Sequence, residues 1–249
     1  MKKLYEKNEL TFALVWIAVY VAGTSMAEAL SETIGINKLV SAVFHAALTA
    51  ALFLWVRRNG LTEKYGLFLP RYRLRRAWFF IPLALVCLYK LVFSPALRFS
   101  ATESILFVIS MLCVGFLEEL IFRGFLFRAI EKENLARPVI ISSVTFGIGH
   151  IVNLLNGYDI ASSLMQIVFA VAVGFLLVFI FIRTGSLVPC IVFHSLNNVL
   201  AGFGSAQLLT DIAGSEQGGL MLNVTIRIVL TAAYLFYVLK CTPKKNCLK

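Results

Sequence analysis

The sequence predicts an all-α, polytopic membrane protein with about eight transmembrane helices, and three observations support this. Of the 249 residues, 59% are hydrophobic and only 14% are charged, whereas a soluble domain carries about 25% charged residues. The mean hydropathy is +0.85. Apolar stretches long enough to span a bilayer, which takes about 20 residues, follow one another with short basic or polar breaks. Residues 1–249 are therefore expected to form a single membrane domain.

The apolar runs define where each span is expected. The third is the weakest prediction, because it is short and contains Lys90. The polar stretch 204–219 is expected to be a loop outside the cytoplasm. The expected spans lie at roughly 10–29, 39–56, 78–93, 103–127, 138–156, 160–182, 186–204 and 220–239.

The uneven distribution of positive charge predicts the orientation of the chain. Lysine and arginine concentrate at the N-terminus, in every second break and in the tail, whereas the other breaks hold little more than Lys38 and Arg98. Cytoplasmic loops are enriched in these residues, so both termini are expected in the cytoplasm, with the chain in a bacterial plasma membrane. The basic segment 57–76 is expected to lie along the membrane surface, with Tyr65, Phe68 and Tyr72 at headgroup level.

The formal net charge of +10 does not indicate a nucleic-acid partner. The basic residues lie in loops between apolar helices, not on a polar face with interleaved aromatic residues, which a nucleic-acid site requires. Anionic lipid headgroups are the expected partners of these loops.

Two carboxylates occupy the fourth expected span, where ionisable groups are costly and mark functional sites. The run reads Glu118-Glu119-Leu-Ile-Phe-Arg123. On a helix, Glu119 and Arg123 are four residues apart and can pair, whereas Glu118 is rotated by about 100° and faces another neighbour. The spacing predicts a structural Glu119–Arg123 pair and a Glu118 that is available for chemistry. One buried cluster of all three charges is the alternative.

Two of the three histidines fall in later apolar spans. His150 ends a run whose glycines, Gly147 and Gly149, would let another helix or a substrate backbone approach closely. His194 and Asn198 are four residues apart and share a helix face. Together with Glu118, these polar residues come from three spans and are expected to form one site, whereas His45 fits no such pattern and is expected to be structural.

A glutamate, two histidines and an asparagine in a poorly hydrated cavity suit peptide hydrolysis, with Glu118 as the general base for a water. His150 and His194 could hold a divalent metal, with zinc the expected ion, that acidifies this water. Alternatively, imidazole and the Asn198 amide could stabilise the oxyanion without a metal. An HExxH helix and a GxSxG elbow are both missing from the sequence, which argues against an ordinary zincin and a serine hydrolase.

The three runs together resemble the CaaX protease and bacteriocin-processing family (CPBP, or Abi) of intramembrane endopeptidases. That family carries EExxxR, FxxxH and HxxxN/D on three separate transmembrane helices, and the third motif here is His194-Ser-Leu-Asn-Asn198. The resemblance covers about 115–200, the expected protease core. It implies an eight-helix fold with an intramembrane cavity open to membrane and cytoplasm. It also implies that Glu118 activates water, that His150, His194 and Asn198 line the site, and that Glu119 and Arg123 organise it.

This resemblance implies a substrate class and leaves two other functions open. The expected substrate is a membrane-tethered peptide or protein cut near the cytoplasmic face. A non-catalytic membrane binder, such as a bacteriocin self-immunity protein, would not need every catalytic position. A small transporter could use Glu118 and the histidines as a proton relay, although no inverted repeat supports this.

Overall fold

The computed structural model describes residues 1–70, 81–93, 99–131, 134–203 and 207–241, and every regular element within these ranges is a helix. The side chain of Lys90 and the segment containing Tyr72 lie outside the described residues. In chain order the helices are α1 (Lys2–Lys7), α2 (Glu9–Ile34), α3 (Leu39–Arg58), α4 (Ile81–Phe93), α5 (Ala101–Glu118), a π-helix π1 (Glu119–Phe127), α6 (Arg128–Ile130), α7 (Ala136–Gly149), α8 (Val152–Leu155), α9 (Ile160–Thr184), α10 (Val188–Phe203), α11 (Gln207–Ala213) and α12 (Glu216–Cys241).

Five helices in the described chain are long and apolar enough to cross a membrane: α2, α3, the continuous Ala101–Ile130, α9 and α12. The prediction of an all-helical membrane protein is therefore confirmed. The other three expected spans contain shorter helices, α4, α7 and α10. At 1.5 Å per residue, the 16 residues of α10 reach about 24 Å, less than the ~30 Å hydrocarbon core. The count of eight spans stays a prediction.

The helix Ala101–Ile130 lies at the centre of the molecule. It begins with a capping box, in which the Ser100 hydroxyl accepts from the Glu103 amide and the Glu103 carboxylate accepts from the Ser100 amide. Helices α2, α3, α7 and α10 pack against it. Every residue from Glu119 to Phe127 is buried, so the charged part of this helix lies inside the bundle.

A glycine sets the close approach of α5 and α10. A Cβ atom added at Gly115 would lie 2.6 Å from the backbone nitrogen of Ser195, so no larger residue fits without moving a helix. The Ser195 hydroxyl donates to the Leu112 carbonyl at 3.0 Å. Ser195 thus faces α5 for packing, and its neighbour His194 is held beside the two glutamates.

The predicted close approach at α7 is confirmed for one glycine of the pair. A Cβ at Gly147 would lie 2.9 Å from the backbone nitrogen of Val171 on α9. Among the described residues, a Cβ at Gly149 would meet only the Phe122 ring at 3.9 Å, an ordinary contact. Gly149 instead lines a small cavity.

Residues 207–213 and 216–219 of the polar stretch that was predicted to be a loop are helical. Gln207–Ala213 forms α11, which packs on α12, and α12 begins at Glu216. Leu209 is buried and the Gln207 amide donates to Asp211 at 2.8 Å. The prediction was wrong because one buried apolar face and one i,i+4 bond support a short helix in a polar segment.

Tyr65 is buried in the protein core, so its ring is not exposed to lipid headgroups as predicted, whereas Phe68 is exposed. Tyr65 is 1% exposed and packs edge-on against Phe125, with 5.0 Å between ring centroids. The neighbouring Lys64 ammonium bonds Glu9 and Tyr5; burial lowers the pKa of Lys64, but these bonds outweigh it and raise the pKa. The Leu187 amide donates to the Gly66 carbonyl at 2.8 Å, so the segment is docked against the turn before α10.

Candidate active site

The three sequence motifs occupy neighbouring helices of the bundle. Glu118 ends α5, and π1 carries Glu119 and Arg123. His150 caps the C-terminal end of α7, and α10 carries His194 and Asn198. The glycine contacts of α5 with α10 and of α7 with α9 keep these elements close.

The acidic motif coincides with a change in helix type. The sequence predicted one regular helix over 103–127, whereas the helix becomes a π-helix from Glu119 to Phe127. π-Helical hydrogen bonds run from i to i+5, and short π segments inside α-helices occur frequently at functional sites. The change begins between the two adjacent glutamates.

Glu119 and Arg123 form the predicted ion pair. Both side chains are fully buried, and the guanidinium Nη1 donates to Glu119 Oε1 at 3.0 Å. A second donor, Nη2, lies 3.4 Å from the Gly174 carbonyl on α9. The guanidinium carbon is 4.1 Å from the centroid of the Phe146 ring, a cation–π distance. Removing either charge would leave the other buried and uncompensated, which costs about 3–5 kcal/mol.

His194 links this pair to Glu118. Its Nδ1 lies 2.7 Å from Glu119 Oε1, and its Nε2 lies 3.3 Å from Glu118 Oε2. The two glutamates and Arg123 therefore belong to one charge cluster, as the alternative prediction held. Glu118 is its accessible end, because its side chain is 12% exposed and that of Glu119 is fully buried.

His194 contacts one carboxylate through each of its two ring nitrogens. A neutral imidazole carries a single N–H, so it can donate to only one of the two glutamates. Hydrogen bonding at both nitrogens needs a second proton, either on His194 or on Glu118. Glu118 and His194 are therefore placed to share a proton, which general acid–base chemistry uses.

Tyr20 is a contact of Glu118 that the sequence interpretation missed. Its hydroxyl donates to Glu118 Oε1 at 2.7 Å, so Tyr20 and His194 hold the two oxygens of one carboxylate. Four residues further along α2, Thr24 bonds His45 Nε2 at 3.0 Å, and His45 Nδ1 bonds Ser110 at 2.9 Å. The fully buried His45 thus has the structural role that was predicted.

Phe146 brings the two motif histidines together. Its ring packs edge-on against His150 and His194, with centroid distances of 5.4 and 5.5 Å. Its carbonyl oxygen lies 3.2 Å from His150 Nδ1. Phe146 therefore contacts Arg123 and both motif histidines, and it also lines the site's cavities.

Two cavities meet at His150. A cavity of about 100 Å³ is lined by Tyr20, Glu118, Gly149 and His150. A larger cavity of about 270 Å³ lies among α7, α9, α10 and α12 and is lined by His150, His194 and Asn198. All the predicted site residues thus lie in the charge cluster or along these cavities, and His150 lines both the cavity that contains Glu118 and the cavity that contains Asn198.

The larger cavity also has a polar wall that the motifs do not include. Arg227 on α12 donates to Asn197 on α10 at 3.4 Å. Its guanidinium carbon lies 3.4 Å from the centroid of the Phe169 ring. Gln166 and Asn223 line the same wall.

His150 and His194 were expected to hold a zinc ion. Each Nδ1 faces an oxygen, as is usual for metal-bound histidines. However, within the described ranges no group of three or more His, Cys, Asp or Glu side chains is placed to hold a metal, and His194 Nε2 faces the Glu118 carboxylate. The residues as arranged do not fit a metal site, so zinc stays a prediction and no step below uses it.

Comparison with known families gives one match. Residues 100–200 match the family described as type II CAAX prenyl endopeptidase Rce1-like. These residues form an Rce1-like domain. The match is consistent with the CPBP family and confirms the resemblance inferred from the motifs. Neither a curated protein nor a solved structure matches the chain. Tyr20 and Arg227 lie outside the Rce1-like domain.

Proposed function

We propose that the protein is an intramembrane endopeptidase that hydrolyses a peptide bond in a membrane-associated peptide or protein near the cytoplasmic face. The observation that carries this proposal is the position of His194, which contacts Glu118 and Glu119 at 3.3 and 2.7 Å. The Rce1-like match supports a CAAX-type protease. A membrane binder would gain nothing from burying this charge, because buried ion pairs rarely add stability.

In the proposed reaction, Glu118 takes a proton from a water in the smaller cavity, and the water oxygen bonds to the scissile carbonyl carbon. Glu118 and His194 share the proton and return it to the departing amine as the carbon–nitrogen bond breaks. Tyr20 keeps one oxygen of Glu118 occupied, so the other oxygen faces His194.

The negative charge that develops on the carbonyl oxygen needs donors. The Asn198 amide and the His150 imidazole line the larger cavity and fill this role in the proposal. Donors that are already in position when charge develops typically contribute about 10²–10³ in rate. Glu119 and Arg123 act through His194 by holding its ring.

The proposal is tested by cleavage of membrane-tethered peptides with purified protein. Glu118→Ala should lower kcat by about 10²–10⁴, and His194→Ala should also remove most activity. Glu32→Gln removes an exposed carboxylate at the end of α2 and should retain activity. Unfolding curves in detergent identify variants that fail to fold. If both site variants cut as well as wild type, the assigned site is wrong.

Two further measurements separate the remaining alternatives. A chelator that abolishes cleavage, with recovery on addition of zinc, would assign a metal to His150 and His194, whereas unchanged cleavage would favour the oxyanion role of Asn198. In a strain tested for bacteriocin protection, a pure binder would still protect with Glu118→Ala, whereas protection that requires proteolysis would be lost.

A further inference from the structure

A polar network outside the three motifs lies where α2, α3 and α5 pack together. At its centre is His45 on α3, whose side chain is fully buried. Its Nε2 lies 3.0 Å from the Thr24 hydroxyl on α2, and its Nδ1 lies 2.9 Å from the Ser110 hydroxyl on α5. A buried polar group whose hydrogen bonds are all satisfied is rigid, so the His45 ring is a fixed point between three helices.

The network reaches the proposed general base through two side chains of α2. The Thr24 hydroxyl interacts with the Tyr20 hydroxyl, and the Tyr20 hydroxyl donates to Glu118 Oε1 at 2.7 Å. Thr24, Tyr20 and Glu118 also line the smaller cavity, which holds the water in the proposed reaction. Five side chains thus form one continuous chain, the hydroxyl–imidazole chain Ser110–His45–Thr24–Tyr20–Glu118.

The number of protons fixes the direction of each bond in this chain. A hydroxyl carries one proton, and an uncharged imidazole carries one N–H. Because Tyr20 donates its proton to Glu118, its oxygen can only accept, and Thr24 is the donor. Thr24 then has no proton left for His45 and accepts from His45 Nε2–H, while Nδ1 accepts from Ser110. Every donor points towards the carboxylate, and hydrogen bonds aligned in this way strengthen one another.

The chain is suited to orienting a group, because its far end does not reach water. Ser110 is 0% exposed, whereas a pathway that supplied protons would have to begin at solvent. We infer that His45 is a positioning residue for Glu118, which acts through Thr24 and Tyr20 to hold one oxygen of the carboxylate. The inference rests on the proposed function for the role of Glu118. It adds to the structural role of His45 a link to the reacting group.

The first test reads the chain without turnover, by nitrogen NMR of the full chain in detergent with isotopically labelled histidine rings. The sequence holds three histidines, and the signal that is lost in His45→Gln identifies His45. Its proton should reside on Nε2. Tyr20→Phe and Glu118→Gln should each shift the Nε2–H signal, because each changes a bond further along the chain. Tyr65→Phe, which removes the hydroxyl of another buried tyrosine, should leave the signal unchanged. A proton on Nδ1, or a signal that is unchanged in both Tyr20→Phe and Glu118→Gln, would overturn the inference.

The second test uses cleavage kinetics to separate positioning from folding. Thr24→Val keeps the shape of the side chain and breaks the chain, so kcat should fall about three- to tenfold, the size of one hydrogen bond. Thr24→Ser restores the hydroxyl and should recover most of the activity. His45→Leu should lower kcat as Thr24→Val does, and His45→Gln should lower it less, because its amide can still donate to Thr24. The matched control is Thr33→Val, which removes another α2 hydroxyl, bonded to the Ala29 carbonyl at 2.9 Å, and should keep kcat.

Double variants decide whether these effects act through Tyr20. In Tyr20→Phe protein, adding Thr24→Val or His45→Leu should lower kcat by less than about twofold more, because the last bond of the chain is already absent. Effects that multiply, or full kcat in both single variants, would overturn the inference. Unfolding curves in detergent identify variants that fail to fold. A His45 signal that responds to Glu118→Gln in a protein that cuts no peptide would refute the protease proposal alone.

Discussion

At the scale of single residues, the site depends on how one carboxylate is held. Glu118 presents one oxygen to Tyr20 and the other to His194, whereas Glu119 is fully buried and bound to Arg123. Two chemically identical neighbours thus differ in exposure and partners. Their positions support a reactive role for Glu118 and a supporting role for Glu119.

Tyr20 is expected to act as a positioning residue for Glu118. Tyr20→Phe keeps the ring but removes the 2.7 Å bond, so the carboxylate loses one of its two fixed contacts. We expect kcat to fall about tenfold, the size of one hydrogen bond to a charged group, while KM changes less than about twofold because the ring packing is retained.

A second tyrosine provides the control for this measurement. Tyr65 is also buried, its hydroxyl interacts with Tyr5, and its ring packs against Phe125. Tyr65→Phe should lose similar stability and keep kcat. A matching loss of kcat in both variants would show that Tyr20 matters only for folding.

At the scale of helices, the contact between α5 and α10 positions His194. Gly115 allows the backbone of Ser195 to approach, and the Ser195 hydroxyl binds the Leu112 carbonyl. Since His194 adjoins Ser195, a shift of α10 moves the imidazole away from both glutamates. The geometry of the site is therefore set by a packing contact that carries no charge.

Gly115→Ala tests this dependence. The added Cβ would lie 2.6 Å from a backbone nitrogen, so α10 must move. Overpacking of this kind costs about 1–3 kcal/mol, and a shift near 1 Å at a reacting group can lower the rate about 10²-fold. Unfolding in detergent and cleavage kinetics measure the two effects.

Gly202→Ala is the matched control on the same helix pair. There the added Cβ would meet the far edge of the Phe107 ring, at 2.3 Å, and a side chain can shift where a backbone cannot. We expect activity close to wild type for this variant. Equal activity of the Gly115 and Gly202 variants would contradict a positioning role for the α5–α10 contact.

At the scale of the whole molecule, the distribution of basic residues and the lengths of the helices give different counts of membrane spans. Basic residues indicate eight spans with both termini in the cytoplasm, whereas five described helices have the length and hydropathy of a span. Helices α7 and α10 carry residues of the candidate site, α4 packs against α10, and all three are shorter. Short helices can cross where the bilayer thins or neighbouring helices shield them.

Single cysteines introduced into a cysteine-free chain test this topology by labelling with a membrane-impermeant maleimide. Positions 131 and 185 should be protected in intact cells, and positions 157 and 214 should react, because they lie in alternate breaks between expected spans. Permeabilised cells provide the labelling control. The same exposure at 131 and 157 would mean that α7 does not cross, and the eight-span topology would then be wrong.

The sequence alone predicted the class of protein and most of the candidate site. Hydropathy and charge are local properties, so they located the helices, and four-residue spacing predicted the Glu119–Arg123 pair correctly. The motif residues Glu118, His150, His194 and Asn198 were identifiable because polar groups in apolar spans stand out against their surroundings.

Only the tertiary structure decided which groups meet. Tyr20, Phe146 and Arg227 lie on different helices, and their distances to the motif residues follow from interhelical packing, which no spacing along one helix encodes. Tyr65 was misplaced for the same reason, because a tyrosine beside basic residues has the same local pattern at a membrane surface and in a core. The sequence specifies the chemical groups, and glycine-mediated contacts such as that of Gly115 with Ser195 bring them within bonding distance.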